Sequence, residues 1–138
     1  MKVFISTVNF GEKSNTYKIG KNTVTETFDD KNTLIKRIEF DEFNRDVDSK
    51  WFDTSGEIQE HLHKEYYENV NEKGMIETFS GRFQEYVRKF YTKFENGYKH
   101  TVDDFRSKKG KNYINEFIHD KSGNLVKIIN NGKVISIR

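Results

Sequence analysis

Cysteine and proline are both absent from the 138 residues. Without cysteine there is no disulfide framework, no thiolate metal site and no cysteine nucleophile. That absence fits a reducing compartment as well as an oxidising one. Without proline, no strand is interrupted by a residue that cannot donate to a ladder. Apolar residues are scarce: 33% of the chain is hydrophobic and another 33% is charged. No run approaches the ~20 apolar residues that a membrane-spanning helix needs. The opening Met1-Lys2-Val3-Phe4-Ile5-Ser6 holds a single three-residue apolar run, too short for the apolar centre of a secretion signal. The chain is therefore expected to be cytoplasmic, with no membrane partner.

The apolar content that exists is aromatic, with 12 Phe, 7 Tyr and 1 Trp. Aromatic side chains supply a large buried area per residue, which offsets their small number. Low hydrophobicity with high charge can mark disorder, but these residues recur with a rhythm. Phe28, Phe40, Phe52, Tyr66, Phe79, Tyr91, Phe105, Ile118 and Ile129 follow one another every 11–14 residues. Turn-forming clusters sit between them, among them Asp29-Asp30-Lys31-Asn32, Asp53-Thr54-Ser55-Gly56 and Asp120-Lys121-Ser122-Gly123-Asn124. Gly and Asn tolerate the positive φ that such turns require. Asn96-Gly97 and Asn131-Gly132 are strong hairpin signals.

Six to nine residues with alternating or β-branched character follow each turn, as in Thr33-Leu34-Ile35-Lys36-Arg37-Ile38-Glu39-Phe40. This period of two predicts an all-β chain, an antiparallel meander of about 9–11 short strands in a curled or partly closed sheet. Val3-Phe4-Ile5 and Thr16-Tyr17-Lys18-Ile19 are the strands expected near the start. A helix competes over Glu57–Glu65 and over Arg82–Phe94, where helix formers are frequent, though neither stretch has a clean apolar stripe. No linker is visible, so residues 1–138 are read as a single domain. Most of the aromatics that close each unit are expected to be core residues.

The formal net charge of +2 conceals an asymmetry. Residues 39–77 carry four basic and twelve acidic side chains, whereas residues 78–138 carry thirteen basic and six acidic. Acidic and basic poles on one surface act on charged partners. Asp41, Glu42, Asp46, Asp48, Asp53, Glu57 and Glu60 flank Trp51, the sole tryptophan. A tryptophan inside an acidic rim is a candidate anchor for a basic protein partner. Alternation with Val47 and Ser49 equally allows Trp51 to be a core residue.

Motifs for chemistry are sparse. His61 and His63 share a face if they lie on a strand, with Glu65 next on it, so both imidazoles could reach one metal. Spacing fixes no further ligand, and no metal is expected. His100 and His119 could act with Lys99 or Lys111 in acid–base chemistry, but nothing in the sequence brings them together. There is no nucleophile elbow, phosphate-binding glycine loop or zinc spacing, so neither catalysis nor a cofactor is expected. Arg82, Arg88, Lys89, Lys93, Lys99, Arg106, Lys108, Lys109 and Lys111 interleave with Phe83, Tyr86, Phe90, Tyr91, Phe94 and Tyr98. That composition suits single-stranded nucleic acid, yet the balanced overall charge argues against such a partner.

Asp120-Lys121-Ser122-Gly123-Asn124-Leu125-Val126 resembles the centre of the tyrosine-aspartate repeat of Rhs-type bacterial proteins. Phe52-Asp53-Thr54-Ser55-Gly56-Glu57-Ile58 and Phe28-Asp29-Asp30-Lys31-Asn32-Thr33-Leu34 resemble degenerate copies, and Phe40-Asp41-Glu42-Phe43-Asn44-Arg45 a weaker one. The usual Tyr is here Phe, or the pair Ile118-His119. The resemblance implies a β-strip architecture associated with toxin systems, in a chain far too short to encase a toxin. With its lack of enzymatic motifs, the chain resembles immunity proteins of polymorphic or contact-dependent growth-inhibition toxins. The expected function is then to bind and neutralise a cognate bacterial toxin, a nuclease, by covering its active site or substrate groove. The acidic segment and Trp51 would form the contact. A self-associating structural β module and a small nucleic-acid-binding protein are the alternatives.

Overall fold

A computed structural model describes residues 5–9 and 11–137. Twelve strands follow one another: β1 (Ile5–Asn9), β2 (Glu12–Ile19), β3 (Asn22–Phe28), β4 (Leu34–Phe40), β5 (Asp46–Phe52) and β6 (Ile58–Glu68). They continue as β7 (Glu72–Gly81), β8 (Glu85–Glu95), β9 (Tyr98–Ser107), β10 (Asn112–His119), β11 (Leu125–Asn130) and β12 (Lys133–Ile137). Strand order in the sheet is the order of the sequence, β1 to β12, without a crossover. The chain is the all-β antiparallel meander expected from its sequence, and the described residues include no helix. Accordingly, among the described residues no helix is long and apolar enough to cross a membrane. Val3 and Phe4, expected to open the first strand, lie outside the described residues.

Two kinds of turn recur along this topology. At Asn96-Gly97 and Asn131-Gly132 both loop residues have positive φ, 52° and 81° in the first and 50° and 82° in the second. That is the two-residue hairpin whose twist matches the strands it joins. The other kind starts with Asp and is repeated at Asp29, Asp41, Asp53 and Asp120. In each, Oδ1 of the Asp accepts the N–H groups two and four residues on, at 2.9–3.0 Å. Its carbonyl accepts the N–H three residues on, and its own N–H reaches the carbonyl four residues on. The residue at that third step is Asn32, Asn44, Gly56 or Gly123, with φ between 62° and 87°. Each such turn ends a ladder with an irregular register at Thr27/Phe28, Glu39/Phe40, Trp51/Phe52 or Ile118/His119. This is the three-residue hairpin with a bulge. Ser107 begins a related turn with a shorter side chain, its own N–H donating to Asn112 Oδ1 at 3.0 Å. Its carbonyl accepts Gly110 N–H and its Oγ accepts Lys109 N–H at 3.2 Å.

Two compact units divide the chain. One comprises Met1–Lys64 and Phe79–Phe83, the other Glu65–Thr78 and Gln84–Arg138. In the first, Val24 is fully buried, and Thr27 and Ser49 are the buried polar residues among those described. Hydroxyl pairs Ser14–Thr27 and Thr16–Thr25, each 3.1 Å, bridge β2 and β3. In the second, Val102 is the buried apolar residue, accompanied by Glu77 and Thr92. The rings of Tyr86, Phe105 and Tyr113 stack across β8, β9 and β10 at 4.9 and 5.0 Å.

The recurrent aromatics thus do not fill a core as expected. Each of β3 to β11 carries one of the spaced residues, but all of these are only half-buried. The reason lies in the topology: a meander strand gains cover from its two lateral neighbours, and side chains standing on a face need a second layer to be enclosed. Ladder bonds and cross-strand pairs accordingly hold these units together to a greater extent than an enclosed apolar centre does.

Candidate functional site

The β5–β6 hairpin, closed by the Asp53 turn, gathers the chemistry of the first unit. Its register sets Asp48 opposite His63, Ser49 opposite Leu62, Lys50 opposite His61 and Trp51 opposite Glu60. Directly opposed residues share a face, and neighbours along a strand alternate. One face of the hairpin therefore bears Asp48, Lys50, His61 and His63. The other bears Ser49, Trp51, Glu60 and Leu62.

On the first face Asp48 Oδ1 accepts from His61 Nε2 at 2.6 Å and from His63 Nδ1 at 3.2 Å. Lys50 Nζ stands 3.9 Å from Asp48 Oδ2. Burial works against ionisation of Asp48. The hydrogen bonds from both imidazoles and the charges of His61 and Lys50 outweigh it, and the carboxyl is held below its ordinary value. The neighbouring strand extends the polar face, with Glu39 opposite Asp48. Asn22 Nδ2 donates to Glu39 Oε2 at 2.7 Å, and Arg37 lies 3.7 Å from Oε1 of the same carboxylate. An open cleft of about 540 Å³ adjoins the hairpin, lined by Asp53, Ile58, Gln59 and His61 and by Ser80, Gly81 and Arg82.

On the second face Trp51 is half-buried between Lys36 on β4 and Glu60 on β6. Glu57, Ile58 and Glu60 are exposed. Among the described residues no cation lies within ion-pair distance of Glu57 or Glu60.

The acidic residues singled out by sequence are thus divided among different tasks. Asp41 and Asp53 commit their carboxylates to turn amides, and Asp41 also binds Arg45 Nε at 2.8 Å. Hydrogen bonds from Ser55 and the Glu57 amide hold the Asp53 carboxyl below its ordinary value. Asp46 pairs with Lys64 at 2.9 Å, and Glu42 loosely with exposed Lys21 at 3.8 Å. Asp48 and Trp51 lie on opposite faces of β5. Trp51, Glu57 and Glu60 stay together around one end of the hairpin. Spacing alone did not join Asp48 to the histidine pair.

The second unit disperses the basic block. Arg88 is bound to Asp103, Lys89 lies near Glu72, Arg106 near Asp104 and Lys108 near Glu85. Arg88 and Lys89, being successive, face opposite ways along β8. Lys89 and Lys93 both stand over the Tyr91 ring, at 4.6 and 5.3 Å, so that this ring meets cations rather than presenting a free stacking platform. His100 Nε2 donates to Glu116 Oε1 at 2.9 Å. Because Ile118 opposes His100 and Lys99 opposes His119, the two histidines project from opposite faces, and no acid–base pair forms between them. No protein-family model, no curated protein and no solved structure matches this chain.

Proposed function

We propose that this chain is an immunity protein: it binds a cognate bacterial toxin, a nuclease with a basic substrate groove, and blocks that groove. The resemblance to toxin-associated repeats motivates the class of partner. The observation that carries the reading is the pairing of Trp51 with Glu60 across β5 and β6, next to Glu57 and Ile58. A half-buried indole offers the large contact area typical of an interface anchor. Carboxylates without internal cations lose no intramolecular ion pair on docking, and they speed encounter with a positive surface. The reading requires no catalysis and no cofactor.

The experiment is co-expression with the C-terminal toxin domain encoded beside the gene, in an inactivated form, followed by affinity measurement. Tight 1:1 binding is expected, weakened at least tenfold by Trp51→Ala and by the pair Glu57→Lys, Glu60→Lys. The association rate should fall with added salt. A wild-type chain that ignores every adjacent toxin domain would overturn the proposal.

Self-association is a second reading, favoured by strand β12, which among the described residues pairs only with β11 and on which Val134 and Ile135 are exposed. Sedimentation across a concentration series separates the two: a chain that stays monomeric rules out self-association, and dimer growth abolished by Ile135→Lys would support it.

A further inference from the structure

The toxin-binding proposal uses the Trp51 face of the hairpin and leaves the opposite face without a role. We propose that Asp48, His61 and His63 on that opposite face form a binding site for one divalent transition-metal ion of the zinc class. The three ligand atoms lie within 4.8 Å of one another. A tetrahedral zinc ion, with bonds of about 2.0–2.1 Å, needs ligand atoms about 3.3 Å apart. Asp48 Oδ1 is already 2.6 and 3.2 Å from the two nitrogens, so small rotations of the imidazoles complete the geometry. The ladder preorganises the rest. His61 and His63 are alternate residues of one strand, and Asp48 is the cross-strand partner of His63.

The donor set selects the class of metal. Two imidazoles and one carboxylate suit zinc, cobalt, nickel or copper(II), whereas magnesium and calcium require oxygen ligands. Three protein ligands leave a fourth position for water or an exchangeable group. His61 also lines the open cleft beside the hairpin. Lys50 Nζ lies 3.9 Å from Asp48 Oδ2, too far for a hydrogen bond, and its positive charge lowers affinity for a cation. Removing that charge should therefore tighten binding, which a merely structural Asp–His cluster does not anticipate.

The test is calorimetric titration of the full chain with Zn²⁺, alongside absorbance with Co²⁺. The expected result is one ion per chain and a four-coordinate cobalt spectrum. His61→Gln, His63→Gln and Asp48→Asn should each weaken binding at least tenfold. His100→Gln and His119→Gln should leave it unchanged, and Lys50→Gln should tighten it. Circular dichroism checks that each variant is folded. Zinc-induced shifts of histidine ring signals in the wild-type chain give a readout independent of any variant. Absence of stoichiometric binding by wild type, binding insensitive to the His61 and His63 substitutions, or ring shifts confined to His100 and His119 would each overturn the proposal.

Discussion

Arg88 meets Asp103 through two parallel bonds, Nε to Oδ1 and Nη2 to Oδ2, each 2.8 Å. The residues are diagonal neighbours, since Arg88 opposes Phe105 and Phe90 opposes Asp103. A planar fork matches a carboxylate in a way that an ammonium cannot. Arg88→Lys retains the charge and should still cost about 1 kcal/mol, and Arg88→Ala about 2 kcal/mol, because Asp103 loses both donors. Urea unfolding checks both. Equal stability of Arg88→Lys and wild type would mean that charge, not the fork, is what matters.

The Asp-initiated turns make a graded prediction. Asp120→Ala removes the acceptor for the Ser122 and Asn124 amides and should cost about 1 kcal/mol. Ser107 occupies the equivalent place with an oxygen that serves one of those two amide positions. Ser107→Asp extends the reach to both and adds a carboxylate beside Lys108, Lys109 and Lys111. Thermal unfolding should show a gain of about 0.5 kcal/mol. A loss would show that this turn, whose first N–H goes to the Asn112 side chain, does not accommodate the longer acceptor.

Gly74 is required by crowding, not by backbone conformation. A Cβ there would lie 2.6 Å from Tyr91 Cβ, 2.7 Å from Phe90 O and 2.9 Å from Tyr67 Oη. Two of these three atoms cannot swing away without moving the β8 backbone. Gly74→Ala should destabilise by about 2 kcal/mol or more, whereas Gly110→Ala meets no neighbouring atom and carries only the strain of its positive φ. Comparative denaturation of the two variants measures the difference.

Alkaline pH should loosen the second unit. Burial pushes the Tyr86 phenol up to about 12, and the hydrogen bond from its hydroxyl to Glu77 adds to the shift. Tyr67 is raised in the same way, through burial and Glu72. A phenol whose folded value exceeds the unfolded one contributes stability that is complete below pH 10 and is lost as pH rises toward about 12. Unfolding midpoints should therefore fall over that window. Tyr86→Phe should flatten the fall while lowering stability at neutral pH, since buried Glu77 loses one donor. An unchanged pH profile in Tyr86→Phe would remove Tyr86 as its source.

The turns were legible in the sequence because their chemistry is narrow: an Asp to bind two amides, and Gly or Asn where φ is positive. Strand periodicity was legible for the same local reason. In Glu57–Glu65 and Arg82–Phe94, helix formers compete with the strand pattern, yet both stretches lie mainly in β6 and β8, where ladder pairing overrides a weak intrinsic preference. Burial was not legible, because regular aromatic spacing gives one large side chain per strand without saying whether anything covers it. The shared face of His61 and His63 follows from period two alone. Their third member does not. An unbroken count back from the Asp53 turn would set Asp48 opposite Leu62 and place it on the other face. The irregularity at Trp51/Phe52 adds one residue and brings Asp48 opposite His63.

Sequential strand order also governs how such a chain can change length. Every ladder joins segments adjacent along the polypeptide, so loop closure is short at each step and folding can proceed by local zippering, without waiting for distant ends to meet. Material can be gained or lost in whole hairpins: removing β11 and β12 together leaves β10 as a border with its direction unaltered. Excising one interior strand instead reverses the running direction of every strand beyond it. Viable insertions and deletions should therefore come in even numbers of strands.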